Sequence, residues 1–246
     1  MQRAWGDPGA LAYLPFTVNL KMKQILDNPA WHALRTHNRT LGNVREGSAY
    51  FLPEVSPFAA VEGPALEGLP ALHETIPFDN NVIFVSNENV EIPRPWQVLA
   101  AVPGYQMLYN GPAFPGSAGP VTIPLTMEHV PDMIALTSLT APGPFSTETI
   151  RFGHYEGIFD NGRLVAMAGQ RMHPEGYAEI SAVCTHPDHL GKGYARHLLL
   201  RQVNRIQKNG EQPFLHVKAD NARAIGVYES LGFEIRTEIF FYILKR

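Results

Sequence analysis

The chain has 246 residues, 45% hydrophobic and 17% charged, with 20 Lys and Arg against 23 Asp and Glu and a formal net charge of −3. That balance, without any basic run, argues against a nucleic-acid footprint and fits a soluble globular protein of one large domain or two small ones. The one cysteine, Cys184, excludes an intrachain disulfide, and the 10 His show no metal-ligand spacing such as His-Glu-x-x-His.

Taken in chain order, the N-terminal portion is punctuated by proline. Asn28-Pro29 reads as a helix start within a helical segment at 25–35. Strands are expected at 49–52, 82–85, 97–100 and 106–109. The stretch 110–120, rich in Gly and Pro, is the linker candidate. The expected division is therefore an α/β domain at 1–120 and a second domain at 121–246. No stretch is long enough for a membrane span, and the N-terminus lacks a basic-then-apolar signal, so a cytoplasmic location without membrane partners is expected.

The second portion alternates more legibly. A short strand at 121–123 precedes a helix at 128–139, with Val130, Met133, Ile134 and Thr137 at helical spacing. Ala141-Pro-Gly-Pro144 breaks the chain, and Ser146 or Thr147 suits the cap of a brief helix. Asn161-Gly162 marks a hairpin between strands at 155–160 and 164–171. A strand at 178–185 follows, then a helix from Tyr194 with Ala195, Leu198, Leu199, Val203 and Ile206 on one face, stopping at Gly210. A buried strand at 213–218 leads to a short helix capped by Asp220 or Asn221 and stopped by Gly232, and the chain ends in a strand at 234–244.

Between the strand and the helix from Tyr194 lies His186-Pro-Asp-His-Leu-Gly-Lys-Gly-Tyr-Ala195. Glycines at 191 and 193 permit close backbone approach, and the N–H groups of the first helical turn have no partners within the helix. That arrangement cradles phosphate, with Gly191, Lys192, Gly193, Tyr194, Ala195 and Arg196 supplying amides and Lys192 a charge.

Together with Asn221-Ala-Arg-Ala-Ile-Gly-Val-Tyr-Glu-Ser-Leu-Gly-Phe233 downstream, this block resembles the GNAT superfamily of acetyl-CoA-dependent N-acetyltransferases, over roughly 121–246. The resemblance implies a mixed α/β fold (α+β), with a mainly antiparallel, partly splayed sheet flanked by helices. The N-terminal domain is then either a degenerate GNAT-like half without the cofactor loop or a dedicated substrate or oligomerisation domain. The implied reaction is direct transfer of acetyl from acetyl-CoA to a primary amine, on a small molecule or a peptide, in a ternary complex. A non-catalytic acyl-CoA-binding sensor or interaction module is the alternative, because Leu190 stands where the family has Gln or Arg. A longer acyl donor is the third reading. A monomer or homodimer is expected.

Residue by residue, the resemblance gives the backbone of Val183, Cys184 and Thr185 the role of polarising the thioester carbonyl. It makes Tyr228 the acid that protonates the leaving thiolate and places Asn221 both at the helix cap and on the pantetheine arm. An alkyl amine with a pKa of about 10.4 benefits from a base. Glu179 and His216 are the two candidates, alone or sharing a water chain. A covalent acyl-Cys184 is a rival, set against the tendency of a lone cysteine in an apolar strand to be buried. Loops 140–145 and 171–175 are expected to shape the amine site, with Phe145 as an apolar wall and Glu156 and Glu175 as partners for a cationic amine.

Overall fold

The computed structural model describes residues 25–112 and 119–246, so part of the linker candidate, 113–118, lies outside the described residues. In chain order the first elements are α1 (Pro29–Arg35), β1 (Gly42–Arg45), β2 (Ser48–Phe51), β3 (Phe58–Val61), α2 (Ala65–Thr75), β4 (Val82–Ser86) and β5 (Gln97–Tyr109). Then come β6 (Ile123–Pro124), α3 (Val130–Thr140), β7 (Glu156–Asp160), β8 (Arg163–Gln170) and β9 (Tyr177–Thr185). The last are α4 (Tyr194–Lys208), β10 (Gln212–Lys218), α5 (Ala222–Leu231) and β11 (Phe233–Lys245).

The local signals act as expected where the chemistry is local. Asn161 and Gly162 take φ of 50° and 77°, the paired positive values of a type I′ hairpin turn. Asn221 Oδ1 accepts the Ala224 N–H at 3.1 Å to cap α5, and Gly232 ends it in the left-handed region at φ 102°. Pro29 opens α1, although Asn28 does not cap it: its side-chain amide donates to the Val61 carbonyl at 2.8 Å.

Other expectations are corrected. The two strands at 97–100 and 106–109 are one strand, β5, running through Pro103 between β10 and β11. Pro103 is tolerated because its carbonyl, which accepts the Ala219 N–H at 3.0 Å, faces the end of β10, so no ladder partner is left waiting for the missing N–H. The strand at 121–123 shrinks to β6, with Val121 82% exposed. Helix α2 was hidden by Pro70 and Gly68 in its interior; a Cβ on Gly68 would lie 2.5 Å from Val61 Cβ, so glycine lets the helix sit close on β3.

The strands run in the order β1-β2-β3-β4-β11-β5-β10-β9-β8-β7-β6. One plan occurs twice. Strand β2 is antiparallel to β3, which crosses through α2 to parallel β4, and β4 is antiparallel to β11. Likewise β8 is antiparallel to β9, which crosses through α4 to parallel β10, and β10 is antiparallel to β5. The last strand of each set comes from the other portion of the chain, so strands from before and after residue 120 interleave. One sheet face packs on α2, α4 and α5, and the other on α1 and α3. Among the described residues, no helix is long and apolar enough to cross a membrane.

Candidate active site

The sheet opens in its middle. Strands β9 and β10 pair in parallel only at Tyr177–Gln212, Ala178–Pro213 and Glu179–Phe214, then diverge while both run on, to Thr185 and Lys218. On its other edge β9 carries a bulge: the register with β8 jumps from Gly169–Ser181 to Met167–Cys184. Ala182, inside the jump, has φ 52°, an uncommon conformation for a residue with a Cβ. The backbone at Val183 therefore lacks a register partner on both sides.

A cavity of about 630 Å³ occupies the opening. Val183, Cys184 and Thr185 of β9 line it opposite His216 and Val217 of β10, and Tyr228 of α5 with its N-cap Asn221 closes one side. Thr185 Oγ1 is buried without a hydrogen-bond partner among the described residues, a polar group fit for a bound amide. Burial raises the Tyr228 phenol to about 12, which keeps it protonated. Burial also pushes the Cys184 thiol up to about 11, so this thiol is a neutral wall atom.

The glycine turn stands at the mouth. Pro187–His189 forms a single 3-10 turn held by His186 Nδ1, which accepts the Asp188 N–H at 3.2 Å. Gly191 and Gly193 follow at φ 79° and 76°, and a Cβ on either would meet nothing within 4 Å. Glycine is thus required here by conformation, and the space in front is open. Gly193 is the N-cap of α4 and no side chain caps that helix, so its first amides are available to an anion. Of the predicted turn residues only Ala195 reaches the cavity wall; Gly191, Lys192, Gly193 and Arg196 are exposed around its mouth, and Tyr194 is half-buried. Leu190 is on the wall too, 45% exposed.

The two candidate bases prove to be one network. Glu179 is fully buried and both its oxygens are engaged. Oε2 accepts from Arg171 Nε at 2.9 Å and Met172 N–H at 3.2 Å, while Oε1 accepts from Arg171 Nη2 and from His216 Nδ1 at 2.8 Å. Burial alone would raise this carboxyl's pKa, but Arg171 and His216 outweigh it and hold the pKa far below the ordinary range. On the far side of the imidazole, Gln106 Nε2 lies 3.0 Å from His216 Nε2. The Gln106 amide is oriented by Arg236 Nη1, which donates to Oε1 at 2.9 Å, and by the Leu26 carbonyl, which accepts from Nε2 at 2.8 Å. These partners define His216 as the neutral Nδ1–H tautomer with Nε2 as acceptor. His216 lines the cavity, whereas Glu179 stands behind it.

The acceptor side meets expectation where residues 140–144 and Arg171 line the cavity, and differs elsewhere. Glu156 is buried and paired with Arg201 at 2.6 Å and Arg205 at 3.3 Å, and neither it nor Glu175 lines the cavity. Phe145 packs edge-on against Tyr155 at 5.8 Å instead of forming the wall. That wall comes from Phe58, Ile83 and Val102 before residue 120 and from Phe241 and Ile243 at the chain's end. Arg171, which crosses 4.5 Å over the Phe58 ring, had no sequence signal beyond its place in a predicted hairpin loop.

Sheet opening and glycine-led helix together define the fold class, a mixed, mainly antiparallel sheet parted between two parallel strands. A family model described as FR47-like protein matches residues 155–242. A GNAT-family protein of Novosphingobium aromaticivorans superposes with a TM-score of 0.83 at 34% identity, covering 90% of this chain and 98% of its own. The chain belongs to the GNAT superfamily. It is also similar to the mycothiol acetyltransferase of Saccharomonospora viridis, 30% identical over 115 residues, or 39% of this chain and 38% of that protein. The ribosomal protein bS18-alanine N-acetyltransferase of Escherichia coli is 35% identical over 81 residues, 32% of this chain and 54% of that protein. The chain thus spans well under two thirds of either relative.

Proposed function

We propose that the protein is an N-acetyltransferase that moves an acetyl group from acetyl-CoA directly to a primary amine in a ternary complex. The observation that carries this reading is the parting of β9 and β10 beneath an uncapped, glycine-led helix terminus. The acetyltransferase activities named for the relatives support it. In this reading the amides of residues 191–196 and Lys192 hold the pyrophosphate, and Asn221 meets the pantetheine arm. The backbone at 183–185 polarises the thioester carbonyl, as an oxyanion donor does in other acyl transfers. Tyr228 gives its proton to the departing thiolate. His216 receives the amine proton at Nε2, displacing the Gln106 amide, and Glu179 is the positioning residue that fixes the ring and its tautomer. The interleaved strands support treating 1–120 as a second GNAT-like half that has lost its cofactor loop.

Leu190, apolar and on the cavity wall, favours a second reading, a non-catalytic acyl-CoA binder. Thermal unfolding with acetyl-CoA and turnover by the Tyr228→Phe variant separate them. Acetyl-CoA at about 100 times its dissociation constant adds about 2.7 kcal/mol and raises Tm by roughly 5 °C or more. Tyr228→Phe then lowers kcat about 100-fold with acetyl-CoA affinity nearly unchanged. Absence of the thermal shift rejects both readings; a shift without thiol release from any amine favours the binder.

A further inference from the structure

Strand register places the acceptor wall on one sheet face. Val102 pairs with Phe241 and Ile83 with both Ile243 and Phe58, while His216 pairs with Gln106, whose strand carries Val102 four residues earlier on the same face. A Cβ on Gly104, between them, would lie 2.7 Å from the Phe241 ring, so glycine makes room for that ring. The wall is thus continuous from His216 to Phe58 and apolar along its length. Among the described residues, the charged ones that line the cavity are Arg171, Lys218 and Arg223, and no Asp or Glu lines it. A polyamine or aminoglycoside would bring several ammonium groups into a pocket whose lining offers hydroxyls, an amide and an imidazole but no carboxylate among the described residues, a burial without counter-ions that costs free energy for each charge.

Arg171 is the informative group. Its side chain is 9% exposed, its Nε and Nη2 are taken by Glu179, and no described residue accepts from Nη1. That nitrogen is open to the cavity, where it can donate a charge-assisted hydrogen bond to an oxygen acceptor. Its position is also constrained, because Arg171 Nη2 and His216 Nδ1 meet at the same oxygen, Glu179 Oε1. An anion on Arg171 therefore stands next to the imidazole assigned to the amine. An alkyl acyl tail would leave Nη1 without a partner, and a peptide N-terminus would give it a neutral amide carbonyl, a weaker acceptor than a carboxylate.

We infer that the acceptor is a free α-amino acid with an apolar side chain, its carboxylate on Arg171, its amine beside His216 and its side chain on the Phe58–Phe241 wall. This inference rests on the transferase reading above. Attack of the neutral amine on the thioester carbonyl forms the amide bond and breaks the carbon–sulfur bond; the amine proton passes to His216 and the thiolate takes the Tyr228 proton. The products are an N-acetylamino acid and free CoA.

The test measures thiol release from acetyl-CoA with phenylalanine and leucine, set against phenethylamine, phenylalanine amide and spermidine. The expected kcat/KM favours the amino acids over their carboxylate-free counterparts by about 10- to 100-fold, the range of a charge-assisted hydrogen bond, with spermidine lowest. Arg171→Gln is expected to bring that ratio near one, chiefly through KM, while acetyl-CoA still raises its melting temperature. If the variant fails to fold, the wild-type ratio decides alone. Equal or better use of the amine, the amide or spermidine by the wild type overturns the inference and leaves the transferase reading standing. Thermal stabilisation by acetyl-CoA with no turnover of any acceptor overturns it as well, and absence of stabilisation overturns the underlying reading with it.

Discussion

The β3–α2–β4 and β9–α4–β10 units share one plan, and both helices start without a side-chain cap, but in the second the helix terminus stands at the cavity. In the first unit, residues 62–64 join strand to helix directly, through Gly63 at φ 76° and Pro64 at the N-cap. The space beneath α2 is filled: Leu69, Leu72, Tyr242 and Trp96 pack there, and Trp96 Nε1 donates to the Leu69 carbonyl at 2.7 Å. The second unit has the longer turn at 186–193, and α5 follows β10, whereas β4 runs on to β5 without a helix between them. A gap between diverging parallel strands is common to the plan. Both helices lack a side-chain cap, so what distinguishes the second unit is its longer turn and the absence of a bulky side chain in the gap.

The largest test of that contrast concerns the charge network of the open unit. Glu179→Gln leaves the buried Arg171 without its counter-ion and is expected to lower unfolding free energy by about 3–5 kcal/mol, measured by denaturant titration. The folded pKa of Glu179 lies below its unfolded value of about 4.3, so its contribution is full above that value and fades as pH falls toward the folded pKa. The variant should accordingly lose less stability than wild type on acidification. An unchanged acid limb would mean that the network holds little of the opening together.

A paired substitution sharpens the comparison at the two turns. Gly63 and Gly193 share φ 76°, and no atom lies within 4 Å of a Cβ at either. Alanine at each is expected to cost about 1–2 kcal/mol of stability from the left-handed backbone. Only Gly193→Ala should also weaken acetyl-CoA binding, by about tenfold in calorimetry. Loss of affinity in both, or in neither, would break the distinction between the units.

The smallest effect is expected at the cleft wall itself. Cys184→Ala removes a neutral thiol and should hold kcat within about threefold, since free buried cysteine behaves as a small hydrophobe. A loss of several orders of magnitude would restore the acyl-enzyme route.

Legibility followed sequence distance. The Asn161-Gly162 hairpin, helix α4 and the cap and stop of α5 were readable because each depends on a few adjacent residues. The joining of 97–100 to 106–109 was not, because Pro103 is acceptable only where β10 has ended. Glu179 and His216 were each recognisable as titratable groups in the right strands. Their coupling was not, since Glu179 lies 37 residues from His216 and 8 from Arg171, and Gln106 lies 110 residues before the ring it contacts.

By itself the sequence determined the GNAT class, the glycine turn and the helix that presents it, because backbone conformation and amide exposure are set by residues a few positions apart. The tertiary structure alone decided which groups line the cavity. A wall drawn from β3, β4, β5 and β11, and an arginine sharing a carboxylate oxygen with a histidine, exist only once strands from both ends of the chain lie side by side.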